Sequence, residues 1–114
     1  MSGESMEGTS CLQLLIERVL TSNGRAEIEY HHDHDGGLLK VNGEQYRVGK
    51  LSFSEVSCAV CSTLKKLYGE YRVISYSFNA EAYENENFRA EVLALGFGGL
   101  LVFKINRKAK PSQT

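Results

Sequence analysis

The sequence predicts an α+β domain, with two helices packed on one face of an antiparallel sheet in the order α-β-β-β-α-β-β-β. Three observations carry this expectation. Apolar residues recur at helical spacing in two stretches, near 10–22 and 54–68. Each stretch runs into a glycine and then into residues that alternate at the period of a strand. Between them, Asn42-Gly43 separates two short alternating runs, the dipeptide that accepts positive φ at both central positions of a tight hairpin. A chain of 114 residues suffices for one such domain and is too short for two ordinary ones.

Taken in order, the opening MSGESMEGTS has nothing to bury and reads as a disordered tail over 1–10, which leaves the domain at 11–106. Leu12, Leu15, Ile16, Val19 and Leu20 share one helical face, with Thr9 or Ser10 available as N-cap and Gly24 as the stop. From Arg25 to Asp33, Ala26, Ile28 and Tyr30 alternate with Arg25, Glu27 and Glu29 as a half-buried strand, ended by Asp35-Gly36-Gly37. The runs 37–41 and 44–48 then form the hairpin about Asn42-Gly43.

Ser54, or Ser52 before it, can cap the second helix, whose stripe is Val56, Ala59, Val60, Leu64, Leu67 and Tyr68, and Gly69 stops it. Glu70 to Asn79 alternates as a strand with Ile74, Tyr76 and Phe78 on one face. The polar stretch 79–87, carrying Glu81, Glu84 and Glu86, reads as an acidic loop. Residues 88–97 fit a helix or a strand. A hairpin through Gly98-Gly99 into 100–105 is the better solution, because the β-rich LLVFKI needs a neighbour to pair with. Arg107, Lys108, Lys110 and Pro111 mark 107–114 as a basic, flexible tail.

LIERVLTSNGRAEIEY and CSTLKKLYGEYRVISY align as helix end, glycine and strand, a hint of internal duplication. In element order alone the chain resembles parts of roadblock-type adaptor domains, the Alu-binding proteins of the signal recognition particle and kinase-associated C-terminal domains. It shares no diagnostic motif with them, so the resemblance assigns no functional residue.

Composition narrows the functional classes. Thirteen Lys+Arg against fourteen Asp+Glu leave a net charge of -1, so no global positive field gathers phosphates or an anionic membrane. With no basic-then-apolar leader and no run of about 20 apolar residues, the expectation is an intracellular, cytoplasmic chain without membrane contact. Cys11, Cys58 and Cys61 are too few for a disulfide framework and read as reduced thiols. No G-x-S-x-G elbow occurs, and GFGG at 96–99 lacks phosphate-loop spacing, so neither an enzyme nor a cofactor is expected.

The first functional expectation is therefore a non-catalytic interaction module, an adaptor, inhibitor or accessory subunit that binds a protein partner or itself as a homodimer. Its interface would be the back of the second helix, where Ser54, Ser57, Cys58, Cys61 and Ser62 stand beside Lys65; small, weakly polar residues let another backbone approach closely. The alternative is an RNA-binding face built from Lys65, Lys66, Tyr71, Arg72, Lys104, Arg107, Lys108 and Lys110, basic groups beside aromatics on which a base can stack. A third reading is a zinc site from His32, His34, Asp33 and Asp35, with or without Cys58 and Cys61. Against it, the two cysteines fall inside a predicted helix instead of on a turn that aims both sulfurs inward. The same placement speaks against a redox CxxC, which belongs at a helix N-terminus.

Overall fold

The computed structural model describes residues 9–95 and 99–108. They form α1 (Thr9–Asn23), β1 (Arg25–Asp33), β2 (Gly36–Val41), β3 (Glu44–Val48), α2 (Phe53–Tyr68), β4 (Arg72–Ser77), β5 (Ala80–Glu84), β6 (Phe88–Leu95) and β7 (Leu100–Arg107). The strands make one antiparallel sheet in the order β3-β2-β1-β7-β6-β5-β4. The fold is α+β with two helices against an antiparallel sheet, as the sequence predicts; its order is α-βββ-α-ββββ, one strand longer.

The first and last strands pair at the centre, Ile28 opposite Phe103 and Tyr30 opposite Leu101. Since facing residues of an antiparallel pair point to the same side, these four share one face with Ala26, Leu39, Val41, Ala90 and Ile105. That face packs against Leu12, Ile16 and Leu20 of α1 and Val56, Ala59, Val60 and Leu64 of α2, all buried. Burial of each large apolar side chain contributes about 1.5–3 kcal/mol, which makes this layer the source of the domain's stability.

Local signals place the connections. Asn42 and Gly43 take φ of 50° and 92°, the left-handed pair a two-residue hairpin requires. The Asn42 side chain also accepts from the Glu27 N–H at 2.7 Å and donates to the Arg25 carbonyl at 3.1 Å, which fixes the turn against β1. α2 opens with a capping box: Ser52 Oγ accepts from the Glu55 N–H at 3.0 Å, and the Ser52 N–H donates to Glu55 Oε1 at 2.8 Å. Ser52, rather than Ser54, is therefore the cap.

Several expectations are corrected. Thr9 and Ser10 lie within the first turn of α1 instead of capping it or belonging to a tail. Arg107, expected in a flexible tail, lies in β7, where its N–H donates to the Gly24 carbonyl at 2.7 Å. The stretch expected as an acidic loop contains β5, and residues 88–95 are strand. Phe97, Gly98 and Lys110 lie outside the described residues, as do the first eight.

The sheet is wider than the layer that covers it. Seven strands at about 4.8 Å span roughly 29 Å, whereas two adjacent helices cover about 20 Å. The outer strands on both sides consequently overhang, and β4 is exposed at every residue.

Candidate functional site

β4 closes one side of the sheet and hydrogen-bonds only to β5, from Arg72 opposite Glu84 to Ser77 opposite Ala80. Every residue of it is exposed, including Val73 at 54% and Tyr76 at 76%, and Phe78 in the following turn is 101% exposed. Its one charged residue, Arg72, is paired with Glu84 at 3.5 Å. A register shift between Val73 and Ser75 makes Ile74 the extra residue of a bulge. The opposite edge differs in composition: β3 exposes Glu44, Gln45 and Arg47, polar and charged groups that discourage strand addition. β4 carries only the bulge as such a device.

Behind the edge lies an open groove of about 200 Å³. Phe53, Ser54 and Ser57 of α2 form one wall, Tyr76, Phe78 and Glu81 the other, and Val92, Ala94 and Leu101 the floor. Further along α2, the Cys61 thiol hydrogen-bonds Tyr71, whose ring packs on Tyr83 at 5.3 Å and on Phe88 at 5.6 Å. Tyr83 donates its hydroxyl to the Glu81 carboxylate. Burial, and then the Cys61 contact, push the Tyr71 hydroxyl well above its ordinary range; burial and the Glu81 bond do the same for Tyr83. Burial likewise raises the Cys61 thiol.

The residues expected on the back of α2 do not share one surface. Ser54 and Ser57 face the groove, and Cys61 is half-buried against Tyr71. Ser62 borders α1 beside Gln13 and Leu14. Cys58 and Lys65 are exposed on the ridge between these two sides.

The basic residues of the RNA reading are also dispersed. Arg72 and Lys108 both pair with Glu84, Lys66 pairs with Glu17, and Tyr71 is packed on its ring neighbours. Lys104 stands on the open sheet face between Glu27 and Glu91. Arg107 lies across Gly24, with the guanidinium about where a side chain there would begin.

In the histidine cluster, alternation sends His31 and His32 to opposite faces, and His34 lies past the end of β1. His32 meets Tyr30 and Phe53 edge-on, at 6.1 and 6.2 Å. Asp33 accepts from the Asp35 N–H at 2.9 Å, a bond that together with nearby Arg47 holds its carboxyl below the usual range. Among the described residues no three His, Cys, Asp or Glu side chains come together closely enough to hold a metal ion. Among them, too, no helix is long and apolar enough to cross a membrane.

No family model, curated protein or solved structure matches this chain. The site therefore rests on its own geometry. The alternation of Ile74, Tyr76 and Phe78 predicts a strand with one apolar face, and the structure leaves all three exposed together with Val73. No local signal distinguishes a central strand from an overhanging edge.

Proposed function

We propose that the protein is a non-catalytic interaction module that binds a protein by strand addition along β4. The observation that carries this reading is the edge itself: a strand exposed at every residue, with one neutralised charge and three large apolar side chains, followed at once by the fully exposed Phe78. Backbone N–H and C=O groups on such an edge supply affinity for any extended chain, while the adjoining groove selects its alternate side chains. The role of Ser54 and Ser57 is then to keep the α2 wall low, so that the incoming side chains reach the floor of the groove.

Display of random linear peptides against the protein, immobilised at low density, tests the reading. Selected binders should carry apolar residues at alternate positions and should lose binding to Tyr76→Lys. Binders that ignore this substitution, or the failure of the library to yield any, would count against strand addition.

A further inference from the structure

We infer that the chain β4 takes up is the β4 strand of a second copy, paired antiparallel about a twofold axis through Tyr76. This rests on the strand-addition reading and names its partner. With the axis normal to the sheet, Tyr76 faces Tyr76 of the second copy and Ser75 faces Ser77, with the bulge at Ile74 and the turn at Phe78 bounding the paired stretch. The strand is thus complementary to itself, placing aromatic against aromatic and hydroxyl against hydroxyl, cross-strand pairs that stabilise a sheet.

Backbone and charge fit the same register. Ser77 and Ala80 close the two-residue turn between β4 and β5, so their polar groups point at each other. Alternation then turns the N–H and C=O of Tyr76 outward, where two copies can exchange a pair of hydrogen bonds. The bulge at Ile74 falls at the end of the paired stretch and does not interrupt it. Arg72, the strand's only charge, lies four residues from the axis, which sets the two arginines roughly 27 Å apart, well beyond the screening length. Every residue of β4 is exposed, which leaves the edge itself accessible to a second strand. The product is one continuous sheet of twice seven strands, in which each groove receives apolar side chains from the other copy.

The test uses Tyr76→Lys and Tyr76→Glu in the full chain, followed by sedimentation velocity over a concentration series. The wild type should be a dimer. Each variant alone should dissociate about 30-fold or more readily, the loss expected when like charges face each other at the centre of a contact. An equimolar mixture of the two should regain the dimer as a Lys–Glu heterodimer, a rescue available only if position 76 meets itself. A wild type that stays monomeric up to high concentration would overturn the second-copy inference and leave peptide binding at β4 standing. A dimer indifferent to both variants, or one not restored by mixing, would equally overturn it. Display binders unaffected by Tyr76→Lys would instead remove the strand-addition reading itself.

Discussion

The Tyr30 hydroxyl holds both backbone groups of Leu51: it donates to the Leu51 carbonyl at 2.8 Å and accepts from the Leu51 N–H at 2.6 Å. A buried residue of the central strand thereby fixes the segment that leads into the α2 capping box, and with it the helix wall of the β4 groove. Tyr30→Phe keeps the ring and removes both bonds. It should lower the unfolding free energy by about 1–3 kcal/mol in urea with an unchanged m-value, since Leu51 loses its partners.

Gly37 packs against the same tyrosine. A methyl group there would lie 2.7 Å from the Tyr30 ring and hydroxyl and 2.9 Å from the Gly49 carbonyl, and the bonds to Leu51 leave the ring little room to withdraw. Gly37→Ala should therefore destabilise by about 1–3 kcal/mol. A melting temperature equal to that of the wild type would show that β2 or the ring shifts freely.

At the start of α2, Ser52→Ala removes one half of the capping box and should cost about 1 kcal/mol. Ser54→Ala, at an exposed position that does not cap, should fall within about 0.5 kcal/mol of the wild type. Chemical denaturation of the two variants side by side decides which serine is the cap.

Tyr71 and Tyr83 give the fold an alkaline limit. Each ionises in the unfolded chain near the ordinary value of 10.0 and at higher pH in the folded protein, because burial and their hydrogen-bond partners favour the neutral phenol. Above pH 10 the unfolded chain binds fewer protons than the folded one, so their contribution is intact below that pH and declines as pH rises beyond it. Melting temperatures should fall above pH 10, and more gently in Tyr83→Phe. A wild type and variant with parallel profiles would show that Tyr83 does not drive the decline.

What the sequence discloses, and what it conceals, follows from which interactions are local. The β1 alternation and the Asn42-Gly43 turn are local and are found where the pattern predicts them. β5 was hidden because Ala80–Glu84 has poor strand propensity and its acids suggest a solvated loop. Glu84 is satisfied from other strands and beyond, meeting Arg72, Arg89 and Lys108 at 3.3–3.6 Å, while Glu81 meets the hydroxyl of Tyr83 two residues along its own strand. The candidate site was hidden for a related reason. Ile74, Tyr76 and Phe78 alternate as core residues do, and only the width of the sheet relative to two helices leaves them uncovered. Tyr71, whose place next to Arg72 suggests a stacking platform, is occupied by Tyr83 and Phe88.

A β4 edge that pairs with the β4 edge of a second copy should be protected as the copies associate. Residue-resolved amide hydrogen exchange across a dilution series reads it directly. The outward-facing Tyr76 amide should slow as the protein concentrates through its association midpoint, while the β3 edge should exchange at a constant rate. Exchange in β4 that is independent of concentration, or protection arising around Cys58 and Ser62 on α2 instead, would contradict it.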